Sequence, residues 1–176
     1  YYCTLHCSLF LLETTSMDKI LETIKASRKK LLSLVEDLTT AQLNYIPKGF
    51  NNNLVWQIGH LVVTEQILCY KLSGQKYIIE EELIDLYRNG SKPERPRSEA
   101  EIAQLKGYLL STIDQLEIDL KNNHFTNFTP YTISTYANYE LKNINDVLTF
   151  MVSHDGLHYG CSLGLKRLVK INDGML

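Results

Sequence analysis

His154 and His158 stand four residues apart in a stretch whose apolar positions repeat at helical spacing. Val147, Met151, His154, His158, Cys161, Leu165 and Leu168 are separated by alternating steps of four and three, which is the inward seam of a bundle helix. Side chains at i and i+4 share a face, with Cβ atoms ~5–6 Å apart. Two neutral imidazoles at that distance can hold one divalent ion. A third histidine, His60, lies with Trp56, Val63 and Ile67 at four–three–four spacing on another apolar segment. A lone histidine on an apolar face is usually a core residue with a satisfied hydrogen bond. Three of them buried without an ion or hydrogen bonds would be costly. Three imidazoles plus water form an open-position site of the catalytic kind rather than a closed structural one. Zinc and nickel suit imidazole best, with iron and copper as further options.

The neighbours of these histidines have competing readings. Cys161 falls one turn beyond His158, either as a fourth ligand or redox-sensitive neighbour, or as a small buried hydrophobe. The second is the ordinary fate of such a residue. Thr64 and Glu65 follow His60 by four and five residues. Glu65 reads first as a solvated helix residue and second as a general base. Asp155 directly follows a histidine and so points off the ligand face. No residue is singled out as catalytic. His124 has no partner spacing and reads as surface, while Tyr131, Tyr136 and Tyr139 are candidates for a site wall. Gly156, Gly160 and Gly164 repeat every four residues on a separate face, suited to close helix approach within the bundle or across a dimer.

Four long amphipathic helices must position these groups. The first is expected from Met17 to Leu38, with Ile24, Leu31 and Val35 in its apolar stripe and Lys25, Arg28, Lys29 and Lys30 on a solvated face. A short capped turn follows at Thr39–Leu43. Asn51–Asn53 offer caps for the second helix, which reaches about Leu72 and stops at Gly74. A Pro-broken connector with a short acidic helical piece, Glu80–Tyr87, leads to a capping box at Ser98 and Glu101. The third helix runs from there to about Asn122. A Tyr-, Thr- and Asn-rich connector then leads to the histidine-bearing fourth helix, capped by Asn143 or Asn145. The result is an all-α, four-helix bundle with long crossover connections.

The chain has 176 residues, enough for one domain, expected at 17–172. Residues 1–16 form an apolar, aromatic N-terminal extension without Lys or Arg, in which Cys3, His6 and Cys7 could bind a metal but a poorly ordered terminus is the simpler reading. A formal charge of −2 gives no reason to expect nucleic acid or an anionic membrane as partner. No apolar run approaches the ~20 residues of a membrane-spanning helix. The four cysteines form no disulfide framework, which favours a reducing cytoplasm.

Trp56-Gln57-Ile58-Gly59-His60-Leu61, together with His154-x-x-x-His158-x-Gly160, resembles the DinB-like (DinB/YfiT) superfamily of metalloenzymes over about residues 17–170. The resemblance implies a four-helix bundle of unusual topology with a divalent metal held by His60, His154 and His158. A homodimer is expected, and the resemblance adds a small-molecule substrate of the kind used by thiol-dependent relatives. Those relatives transfer a low-molecular-weight thiol to an electrophile or isomerise through a thiol adduct. The alternative is a non-catalytic binding or interaction bundle, metal-braced or metal-free. The chain departs from the family pattern where Arg and Gln often follow the second histidine: Tyr159 and Cys161 occupy those places. Substrate details therefore do not carry over, whereas the three ligand positions do.

Overall fold

The computed structural model describes residues 2–174, with side chains described from residue 17 onward. Cys3, His6 and Cys7 therefore lie outside the described side chains. In chain order the elements are α1 (Tyr2–Leu34), α2 (Thr40–Asn44), α3 (Leu54–Glu65), α4 (Glu82–Tyr87), α5 (Glu99–Lys121), β1 (Tyr131–Ile133), β2 (Tyr139–Leu141) and α6 (Ile144–Asn172). The long helices α1, α3, α5 and α6 form an all-α four-helix bundle. α1 packs on α6 and α5, and α3 packs on the same two, which gives the cyclic order α1–α6–α3–α5. Two pairs of long helices that follow each other along the chain, α1 with α3 and α5 with α6, thus face each other diagonally. Only long connections can make that arrangement.

Local sequence sets most helix ends. Asn53 accepts a hydrogen bond from the Trp56 amide at 2.9 Å, and its own amide donates to the Asn44 carbonyl, fixing the start of α3. Thr39 with Gln42 and Ser98 with Glu101 form reciprocal capping boxes at α2 and α5. Asn143, rather than Asn145, caps α6 by accepting from the Asp146 amide.

Three expectations change. α1 begins before Met17 and ends at Leu34, because turns take over before Leu38. The second helix is not uniform: it widens into a π-helix over Gln66–Lys71 and stops at Gly74, whose φ of +72° suits glycine. The connector after α5 contains a two-stranded antiparallel ribbon, pairing Tyr131 with Leu141 and Ile133 with Tyr139. Tyr136 lies in its turn.

The core forms two clusters along the bundle, with partly buried Ile67 packed against both. Its α2-proximal half includes Leu31, Val35, Ile58, Val62 and Leu109, and the other half includes Ile24, Ile113, Leu148 and Met151. The histidine-bearing faces of α3 and α6 adjoin, and the loop carrying the ribbon lies over them. Among the described residues no helix is long and apolar enough to cross a membrane.

Candidate metal centre

His60 on α3 and His154 and His158 on α6 converge. One nitrogen from each lies within 4.8 Å of the others, a spacing at which all three can ligate one ion. The ring centroids are 5.3 Å (His60–His154), 4.7 Å (His60–His158) and 4.4 Å (His154–His158) apart. The i,i+4 pair supplies two of these groups, and the adjacency of α3 and α6 brings the third.

Hydrogen bonds orient two of the rings. His60 Nδ1 lies 2.7 Å from the Tyr87 carbonyl, which can only accept, so Nδ1 carries the proton and Nε2 keeps its lone pair. His158 Nδ1 lies 2.6 Å from Gln57 Oε1 and takes the same tautomer. Both arrangements match the way metal-ligating histidines are held, one nitrogen donating backward and the other left as an acceptor. Trp56 stacks flat on His60, with centroids 4.5 Å apart and planes 10° from parallel. Its indole N–H donates to Ser91 Oγ, which donates to the Leu86 carbonyl, so the ring is fixed at both ends. Burial lowers the pKa of His60 to about 4 and that of His158 to about 3; in both cases the charge of His154 contributes in the same direction. Both rings are therefore neutral near pH 7, the state a metal ligand needs.

The third ring is held differently. His154 Nδ1 is buried and makes no hydrogen bond. Asp155 Oδ1 lies 3.8 Å away, close enough for charge to act but too long for a hydrogen bond. An orphaned imidazole nitrogen among two oriented ones fits a site built around a cation.

Beneath the histidines lies a buried ion network that the sequence reading missed. Arg28, expected on the solvated face of α1, is fully buried. Its Nε donates to Asp155 Oδ2 at 2.9 Å and its Nη1 to Glu65 Oε2 at 2.6 Å, with a further bond from Nη1 to the Leu109 carbonyl. Glu65, expected in solvent, is likewise fully buried, and Asp155 is 1% exposed. One guanidinium on α1 thus ties together α3, α5 and α6. Burial opposes its charge, but Asp155 and Glu65 outweigh burial and raise its pKa. For Asp155, burial resists ionisation, yet Arg28 and His154 prevail and hold its carboxyl below the usual range. For Glu65, burial wins over Arg28 and pushes the carboxyl up. Asp155 is thus the carboxylate held ionised behind the imidazoles, beside His154.

Gly59 carries part of the positioning. A Cβ there would meet the Tyr87 ring at 2.4 Å, so only glycine lets Tyr87 pack against α3 and bring its carbonyl to His60. Gly156, Gly160 and Gly164 have nothing within 4 Å of a built Cβ, so they mediate no close approach inside the bundle.

The three imidazoles open into a cavity of about 550 Å³. Tyr131 and Tyr136 line it as expected, whereas Tyr139 does not and is exposed. Cys161, whose ordinary reading was a buried hydrophobe, is exposed and lines the cavity instead, outside the cluster of three histidines. Thr64 Oγ1 approaches His60 Nε2 at 3.4 Å. His124 is half-exposed on the far loop, with Nδ1 3.1 Å from Asp119 Oδ1, and takes no part.

The chain belongs to the DinB superfamily, whose profile matches residues 23–162. The match covers α3, the π-helical segment, the ribbon and all three histidines, and ends at Ser162 on α6. A comparison with curated proteins finds no match.

Proposed function

We propose that His60, His154 and His158 hold one divalent metal ion, zinc or nickel, and that the protein is a metal-dependent enzyme acting on a small molecule, of the thiol S-transferase type. The observation that carries this reading is the meeting of three ligand nitrogens within 4.8 Å at the floor of a cavity of about 550 Å³. A bound ion with an open position favours the thiolate form of a thiol that reaches it. In such a transfer the sulfur forms a bond to an electrophilic carbon, the leaving group departs with its electron pair, and the thiol proton passes to solvent.

This chain's own residues supply orientation. Gln57 and the Tyr87 carbonyl fix the faces of His158 and His60, while Trp56 stacks against His60. The bundle has the Arg28 network to tie its helices together, so a purely structural brace at the histidines would be redundant. A compartment that keeps the exposed Cys161 thiol reduced, the cytoplasm, fits this chemistry. A homodimer is the assembly we favour.

Elemental analysis of tag-free protein beside His154→Ala tests the proposal. Near-stoichiometric zinc or nickel in the wild type that disappears in the variant is the expected result, and a thiol-transfer screen then follows. No metal in either protein, even after reconstitution with several ions, overturns it.

A further inference from the structure

Only half of the Gln57 amide is engaged. Its Oε1 accepts from His158 Nδ1 at 2.6 Å, and this fixes which way the amide faces. Its Nε2 donates to no described residue, yet unlike Asn52 Oδ1 and His154 Nδ1 it is not sealed off from a molecule the size of water. The residue is 6% exposed and lines the cavity over the histidines, so the approach to Nε2 is from the cavity. Two N–H donors thus stand there without a protein partner. Along α3, Gln57, His60 and Thr64 follow at steps of three and four, and all three line the cavity. Asn51 and Asn89 line it as well, but both are exposed. Among the described lining residues there is no Asp, Glu, Lys or Arg, so no charged side chain competes for what the amide binds. A buried donor left without a partner is costly, and an acceptor oxygen on a ligand removes that cost.

We propose that Gln57 Nε2 donates to a carbonyl oxygen of the molecule that occupies this cavity, so that the substrate belongs to the carbonyl-bearing class. The inference rests on reading the histidine site as a small-molecule site, and it narrows that reading to one class. A single amide then holds His158 through Oε1 and the substrate through Nε2, which ties the orientation of one to that of the other. Mutation separates the two halves. Gln57→Glu keeps an acceptor for His158 Nδ1 and removes both donors, whereas Gln57→Met removes acceptor and donors together at similar length.

Trp56 is the single tryptophan of the chain and forms part of the cavity wall, so its fluorescence reports occupancy. The full-length protein is titrated metal-free with 4-phenyl-2-butanone and with 2-methyl-4-phenyl-1-butene, which has the same shape with C=CH2 in place of C=O. The quantity read is the ratio of the two affinities, compared between wild type and variant, which cancels the difference in hydrophobicity between the probes. Both variants should lower the ketone-to-alkene ratio about tenfold, with the affinity for the alkene little changed. Zinc affinity, measured by competition with a chromophoric chelator, should be kept in Gln57→Glu and fall in Gln57→Met. A Gln57 that served only to position His158 would leave the ratio in Gln57→Glu at its wild-type value, and that result overturns the inference. The absence of any saturable response to the ketone overturns it as well. If Gln57→Glu does not fold, the ratio in Gln57→Met decides the point. The zinc measurement keeps the outcomes apart. A ratio that falls in protein taking up no metal refutes the metalloenzyme reading alone, and zinc uptake with an unmoved ratio refutes this inference alone.

Discussion

Arg28 on α1 and Asp155 on α6 meet at 2.9 Å across 127 residues of chain, both essentially out of water, and Asp155 sits beside the imidazole, of the three that converge, whose Nδ1 has no hydrogen bond. The contact links the structural core of the bundle to the histidine cluster. Removing one member of a buried pair leaves an uncompensated charge, at a cost of about 3–5 kcal/mol. Arg28→Met should therefore lower the urea midpoint strongly. Replacing all three of Arg28, Glu65 and Asp155 by apolar residues of similar size should recover much of the loss. A single variant that unfolds at the wild-type midpoint would contradict this account of the network.

Asp155→Asn keeps the shape and removes the charge next to His154. Carboxylates behind ligating histidines commonly contribute ~10–100-fold in metal affinity. A loss in that range is expected from competition with a chromophoric chelator, with the other two histidines unaltered. Unchanged affinity would mean that Asp155 serves folding only.

The glycines of α3 and α6 should respond in opposite ways to alanine. At Gly59 the added Cβ collides with the Tyr87 ring, so Gly59→Ala should destabilise the protein by about 1–3 kcal/mol and loosen the carbonyl that orients His60. At Gly156 the space is open and the position is mid-helix, so Gly156→Ala should be stabilising by about 0.5–1 kcal/mol in a thermal melt. Equal effects at the two sites would rule out the packing argument.

Metal-free protein should lose stability on acidification through a window set by His60 and His158. Their folded pKa values, about 4 and about 3, lie below the ordinary imidazole value of 6.5. Between those limits the unfolded chain binds protons that the native one refuses, so stability is full above pH ~6.5 and falls toward pH 4. Each imidazole contributes a slope of at most about 1.4 kcal/mol per pH unit. The carboxylates titrate nearby, so the decisive quantity is the difference between wild type and His158→Gln in urea midpoints at pH 4.5 and 7. The variant should show the shallower fall.

Cys161 and Cys69 should differ sharply toward iodoacetamide in the native protein. Cys161 is exposed at the cavity, whereas Cys69 is buried and its thiol pKa is pushed well up by burial. Peptide mapping after a short exposure should find the label on Cys161 and none on Cys69. A ligand seated in the cavity should protect Cys161.

The three histidines that converge and most of the helix ends were legible in the chain alone. The seam of α6, the four–three–four placement of His60, the Ser98 capping box and the asparagine caps are all local patterns. They depend on helical period and on hydrogen bonds within a few residues. The network of Arg28, Glu65 and Asp155 was not legible, because Arg28 and Glu65 look like solvated residues on their own helices and Asp155 shows only that it points off the ligand face. Their burial arises only when α1, α3 and α6 bring them together from three distant parts of the chain. Cys161 shows the same limit in reverse: its periodic position is inward, yet the cavity leaves it exposed. The π-helical widening after Glu65 and the Tyr87 carbonyl on His60 Nδ1 likewise had no local signal. Periodicity fixes which face of a helix a residue occupies. What that face meets, whether solvent, a partner charge or an open cavity, is settled by the diagonal order of the bundle.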